Sequence, residues 1–153
     1  MMDITIKKMD YSHIPELGAI EKECFSTPWS EKALSDEVEN SHGRFLVAFC
    51  DNEISGYIGA HNIVGEVYIT NVAVAKKFRR MGVGEKLIKA LVDLCEKEGA
   101  EFVTLEVRES NTPAIKLYDK MGFRQVGNRK NFYENPKENA ILMTYNDCSS
   151  LKR

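Results

Sequence analysis

Residues 66–107 constrain the fold of this chain more than any other stretch. An apolar, alternating run at 66–74 leads to the basic segment RRMGVG at 79–84. A long amphipathic run follows, closed by Gly99, and then a second strand-like run at 102–107. Strand, helix and strand over this length predict a crossover between parallel strands, since a tight turn joins only antiparallel ones. The helical pattern is regular. Val83, Leu87, Leu91 and Leu94 share one face, while Glu85, Lys86, Lys89, Asp93, Glu96 and Lys97 face water. The junction before the helix also carries chemistry. The first N–H groups of a helix lack intrahelical partners and hold the positive end of its dipole. Gly82 and Gly84 let the main chain approach an anion, and Lys76, Lys77, Arg79 and Arg80 add positive charge. The junction therefore predicts a pyrophosphate cradle, against the plainer reading of a solvated basic loop. It is neither of two commoner glycine motifs. A dinucleotide fingerprint needs a third glycine at position 87, where leucine stands, and a P-loop needs Gly-Lys-Ser/Thr, whereas Glu85 and Lys86 follow Gly84.

The remaining segments predict the rest of an α/β domain. Residues 4–9 alternate as a short strand. Ser12 can cap a helix with Ile14, Leu17, Ile20 and Cys24 inward and Glu16, Glu21 and Lys22 mostly outward. Thr27-Pro28-Trp29-Ser30 ends that helix, and Ser30 caps a shorter one reaching about Asn40. Strands at 44–50 and 53–63 flank an Asp51-Asn52 turn, and a turn near Val64-Gly65 leads into 66–74. Beyond the crossover, Thr112-Pro113 opens a helix to Met121 with Gly122 at its end. Runs at 124–132 and 140–145 then close the sheet as a hairpin around Asn135-Pro136. The expectation is one domain over 3–146 with a mixed, mostly antiparallel sheet, and a polar tail, 147–153, that frays.

Composition excludes several classes. With 43% hydrophobic and 29% charged residues, the chain has the make-up of an ordinary globular protein. A net charge of −2 argues against a general nucleic-acid binder. The basic residues cluster at 76–80 and at Arg129 and Lys130, which suits a small anion better than a long one. No stretch approaches the roughly 18 apolar residues of a membrane span, and MMDITIKKMD has no apolar core of a signal peptide. Cys24, Cys50, Cys95 and Cys148 lack paired spacing and read as free thiols in a reducing cytoplasm. His13, His42 and His61 show no metal-ligand spacing, so no metal site is expected and each reads as a surface or loop residue.

The order of these motifs resembles the GCN5-related N-acetyltransferase superfamily. Within it, the match is closest to the bacterial ribosomal-protein-alanine N-acetyltransferases, the RimI family. The resembling stretches are PWSEK (28–32), NVAV (71–74), RRMGVG (79–84), LEVRESN (105–111), AIKLYDKMGF (114–123) and the hairpin RKNFY…ENAILM (129–143). Two departures are small: Phe132-Tyr133 replaces the usual pair of tyrosines, and the hairpin loop is slightly short. The resemblance implies acetyl-CoA as donor and central parallel strands that splay apart. It implies that the backbone of Val72, Ala73 and Val74 binds the pantetheine arm, as a ligand hydrogen-bonding a strand edge does. It also puts the pyrophosphate at Arg79, Arg80, Met81, Gly82, Val83, Gly84 and Glu85, with Asn111 near the cofactor.

Acetyl transfer to an amine needs a base for the amine, donors for the oxyanion and an acid for the leaving thiolate. Glu106 ends the post-crossover strand, where open α/β sheets place ligands. It could instead pair with Arg108, two residues on and on the same face. The resemblance aligns Glu106 with the base. Tyr118 falls on the apolar face of its helix with Ala114, Ile115 and Met121, as a packing tyrosine would. The resemblance places it at the general acid. A backbone N–H of 72–74 is the nearest donor for the oxyanion. No cysteine adjoins a histidine or a helix start, so direct transfer in a ternary complex is favoured over an acetyl-cysteine. Trp29 and Tyr133 are candidate walls of the acceptor site, or else ordinary packing residues. The implied substrate is the N-terminal amine of a protein, a ribosomal protein beginning with alanine. A lysine side chain or small amine is the alternative acceptor, and a CoA-sensing module without turnover is the non-enzymatic one.

Overall fold

The computed structural model describes residues 3–146, so Cys148 and the polar tail predicted at 147–153 lie outside the described residues. In chain order the elements are β1 (Ile4–Lys8), α1 (Ile14–Cys24), α2 (Glu31–Val38), β2 (Gly43–Cys50), β3 (Glu53–Ile63) and β4 (Glu66–Val74). They continue with α3 (Val83–Lys97), β5 (Phe102–Arg108), α4 (Thr112–Lys120), β6 (Arg124–Glu134) and β7 (Lys137–Tyr145). The strands form one mixed sheet in the order β1-β2-β3-β4-β5-β7-β6. The α3 crossover yields the parallel pair that the sequence predicts: Glu66, Val67 and Tyr68 of β4 stand opposite Phe102, Val103 and Thr104 of β5. β1–β2, β2–β3, β5–β7 and β6–β7 are antiparallel.

The chain forms two compact units. Among the described residues, one comprises 3–61 together with Thr70–Leu91, the other Asn62–Ile69 together with 92–146. In the first, Leu17, Leu34, Val47, Tyr57, Ile58, Leu87, Ile88 and Leu91 are fully buried. In the second, Val67, Cys95, Val103, Leu105, Phe123 and Met143 form the core. α3 buries Val83, Leu87, Ile88, Leu91, Val92 and Cys95. Leu94, predicted inward, is only half-buried, because a 3.6-residue period carries the stripe to Ile88 and Cys95 instead.

Several side chains stand elsewhere than the sequence predicts. Ser12 does not cap α1, which has no side-chain cap; Asp10 caps the 3-10 turn Tyr11–His13 just before it. Its carboxylate accepts from the Ser12 N–H at 2.8 Å, and the Asp10 N–H donates to His13 Nδ1 at 3.0 Å. His13 is therefore buried, edge-on to Phe49, and not a surface residue. His61 lies on β3, paired with Glu37 at 2.9 Å. Glu21, predicted to face outward on α1, is 1% exposed. Asn111, not Thr112, caps α4, its Oδ1 accepting from the Ala114 N–H at 3.2 Å. Ser30 caps α2 as predicted, accepting from the Ala33 N–H at 3.0 Å.

Candidate active site

In the first unit, the loop between β4 and α3 reverses direction through two left-handed residues, Arg80 (φ 66°) and Gly82 (φ 85°). Only glycine takes that conformation without a steric cost, and at Gly82 a Cβ would meet no protein atom within 4 Å. The space beside the main chain is open there. The Lys86 N–H donates to the Gly82 carbonyl at 3.1 Å as α3 begins, which leaves the Val83 and Gly84 amides ahead of that bond at the helix N-terminus. Positive dipole, open glycine and exposed Arg80 together fit a diphosphate.

Arg79 is placed differently from its neighbours. Its Nε donates to the Val74 carbonyl at 3.1 Å, and its Nη2 lies 3.2 Å from Cys24 Sγ. The Cys24 thiol donates to the same carbonyl at 3.4 Å, and burial pushes that thiol's pKa up. Arg79 is thus a clamp on the end of β4, and the Val74 carbonyl is already engaged. Lys77 is turned to Glu53 in an ion pair. Behind β4, Gly56 of β3 is the only residue type that fits, because a Cβ there would stand 2.4 Å from the Ala73 carbonyl oxygen.

Trp29 is held from two sides within this unit. Its N–H donates to Glu21 Oε1 at 2.7 Å, and its indole meets the Phe45 ring at 6.1 Å. Glu21 Oε2 accepts from the Tyr57 hydroxyl at 2.5 Å, and Phe45 stacks on Tyr57 at 6.3 Å. Burial first, then Glu21, pushes the Tyr57 pKa far above that of a free phenol. A buried carboxylate needs such partners, and here both oxygens have one. Sequence pattern misses Glu21 because its donors come from elsewhere in the chain.

In the second unit, β5, α4 and the β6–β7 hairpin bring together residues predicted separately. Glu106 pairs with Arg129 of β6, Nε to Oε2 3.5 Å, and not with Arg108. Arg108 instead holds the hairpin. Its guanidinium donates to the carbonyls of Pro136 at 2.8 Å and Asn135 at 3.1 Å and to Glu138 at 3.2 Å, and it lies 4.3 Å from the centre of the Tyr133 ring. Glu138 also accepts from the Ser110 N–H at 2.6 Å. Burial and the Glu106 carboxylate push the Tyr133 pKa up to about 12, against a lowering pull from Arg108. Tyr118 is 7% exposed and packs edge-on to Phe123, with ring centroids 5.5 Å apart. Burial, and secondarily Tyr133, pushes its pKa well above 10, so its phenol keeps its proton. Among the described residues, no group of His, Cys, Asp or Glu could hold a metal ion. No described helix is long and apolar enough to cross a membrane.

Residues 14–123 match the model of the acetyltransferase (GNAT) family, and the chain belongs to that family; it is an acyltransferase. The [ribosomal protein bS18]-alanine N-acetyltransferase of Haemophilus ducreyi is 34% identical over 91% of this chain and 95% of its own length. The crystal structure of the ribosomal-protein-S18-alanine N-acetyltransferase from Escherichia coli superposes with a TM-score of 0.87 at 29% identity, over 94% of both chains. Arabidopsis thaliana NAA60 in complex with acetyl-CoA shares the fold, with a TM-score of 0.84 at 21% identity, over 94% of this chain and 99% of its own.

Proposed function

We propose that this chain transfers the acetyl group of acetyl-CoA to the N-terminal α-amine of a protein in the cytoplasm. The acceptor in this reading is a ribosomal protein that begins with alanine, as the names of the relatives suggest. The observation that carries the reading is the pair of side chains in the second unit. Glu106 is a carboxylate with a partly open face, and Tyr118 is a phenol that its burial keeps protonated. An accepting group and a donating group are what the two proton transfers require.

Val83 and Gly84 hold the diphosphate of acetyl-CoA through their amides, with Gly82 leaving room and Arg80 adding charge. Val72 and Ala73 bind the pantetheine arm through their backbone; Val74 contributes less, since its carbonyl serves Arg79 and Cys24. Met81 and Glu85 flank the cradle, and Asn111 acts chiefly as the cap of α4. When bound, acetyl-CoA supplies the acetyl group as a thioester. Glu106 takes the proton that the amine must lose, directly or through a water. A backbone N–H of 72–74 faces the carbonyl oxygen as it gains charge. Tyr118 returns a proton to the departing thiolate. Trp29 is fixed by Glu21 and Tyr133 by Arg108, and each is a candidate contact for the acceptor.

An α-amine titrates near 8 and a lysine near 10.4, so the reactive fraction of the former is on the order of a hundredfold larger at neutral pH. One lysine-containing peptide, free or blocked at its N-terminus, tests the reading. Mass spectrometry should show rapid acetylation of the free form at its first residue and little of the blocked one. Equal rates would assign the enzyme to lysines or small amines instead.

A further inference from the structure

Two arginines meet at the hairpin, Arg108 from the end of β5 and Arg129 from β6, and they are held differently. Arg108 is held by two backbone carbonyls, by Glu138 and by the face of Tyr133, and its side chain is 28% exposed. Among the described residues Arg129 has one ion pair, to Glu106 at 3.5 Å, and its guanidinium lies 5.6 Å from the centre of the Phe132 ring. Its side chain is 55% exposed, against 20% for Glu106. The backbone that carries it is irregular. The β6–β7 register shifts between Arg129 and Tyr133, and Asn131 inside the shift has a φ of 55°. Phe132 is 42% exposed and offers a second seat for a cation. Tyr133, which feels the Glu106 carboxylate, is neutral, and the charges of Arg108 and Glu138 beside it are paired with each other.

We propose that Arg129 is a displaceable counter-ion, which covers the Glu106 carboxylate until the ammonium group of the acceptor takes its place. This rests on the reading of Glu106 as the base that meets the acceptor amine. An acceptor α-amine is mostly protonated at neutral pH and arrives as a cation. It can therefore exchange for a guanidinium without stripping the carboxylate of a partner, while Arg129 retreats onto Phe132. A neutral group cannot make that exchange. Arg129 thus weakens the binding of cationic chain ends by the fraction of time it occupies the site, and leaves unchanged that of uncharged ones, which gain nothing at Glu106. An exposed ion pair of this kind predicts an effect of about two- to fivefold.

The test is calorimetric titration, in the presence of CoA, of the full chain with an alanine-initiated peptide and with its des-amino counterpart. In Arg129→Gln, the Kd of the amine peptide should fall about two- to fivefold while that of the des-amino peptide stays within error; an equal fall for both peptides would overturn the exchange. In Arg129→Lys, which keeps a cation, the amine peptide should bind as it does to the wild type. An amine Kd that is unchanged or higher in Arg129→Gln overturns the proposal, as does a lysine variant that behaves like glutamine. Because the readout is binding, it is separate from the function assignment. A wild-type enzyme that fails to acetylate the peptide but shows this binding pattern refutes the N-terminal reading and leaves the counter-ion role standing.

Discussion

In the roles proposed for them, Glu106 and Tyr118 make opposite demands on a proton, and their surroundings differ. Glu106 has a cation at 3.5 Å and a partly open face, whereas Tyr118 is enclosed beside Phe123. The variants Glu106→Gln and Tyr118→Phe should separate the two roles. Without the carboxylate, turnover should fall and then recover in part as pH rises past about 8, where more acceptor amine is already neutral. Without the phenol, turnover should fall with no such recovery and with little change in acetyl-CoA affinity. Equal, pH-independent losses across a pH–rate profile would return Tyr118 to packing and Glu106 to its ion pair. Glu21 works at one remove. Its carboxylate orders Trp29 and Tyr57 without being placed at the reacting atoms, which makes it a positioning residue.

At the scale of elements, the junction between β4 and α3 is the site proposed for the diphosphate of acetyl-CoA. Arg79 ties the end of β4 to Cys24, and the chain then turns left-handed at Arg80 and Gly82 before α3 starts. Gly82→Val would place a β-branched residue at a φ of 85°, which shifts the loop, and would fill the open space beside it. A hydrogen bond to a charged group is worth about 1.5–3 kcal/mol, so losing one or two predicts at least a tenfold rise in the acetyl-CoA Kd. The variant should keep its fold, since a Cβ at this position meets no protein atom within 4 Å. Unchanged affinity by calorimetry would remove the phosphate from this loop. Gly56 is different in kind: there the Ala73 backbone itself stands in the way, so a side chain would push β3 from β4.

For the molecule as a whole, the enclosed phenols set a limit on alkaline stability. Tyr133 has its pKa pushed up to about 12, and burial drives Tyr57 and Tyr118 upward as well. An unfolded tyrosine titrates near 10. The unfolded chain therefore releases these protons first, so their contribution is complete below about pH 10 and is lost as pH rises through 12. Urea denaturation across that range should show a steepening loss of stability, shallower in Tyr133→Phe, which has no proton there to lose. Identical slopes in the two proteins would mean that Tyr133 titrates alike folded and unfolded.

The sequence by itself determined the elements, the crossover and the glycine junction, because each depends on neighbours within a few residues. A helical stripe, a turn residue or a proline after a cap acts locally, and β3, β4 and α3 accordingly stand where the periodicity puts them. The resemblance supplied Glu106 and Tyr118 as a pair. Only the tertiary structure decided what the charged side chains touch. Glu106 faces Arg129, and Arg108 faces Glu138, because β7 and β6 follow β5 in the sheet. Glu21 turns inward because Tyr57 and the Trp29 N–H stand ready for both its oxygens, and Arg79 turns back because a strand-end carbonyl and Cys24 await it. Periodicity reports which face of an element is apolar. The partner of a charge is fixed by which strands and helices become neighbours, and that is settled only when distant segments meet.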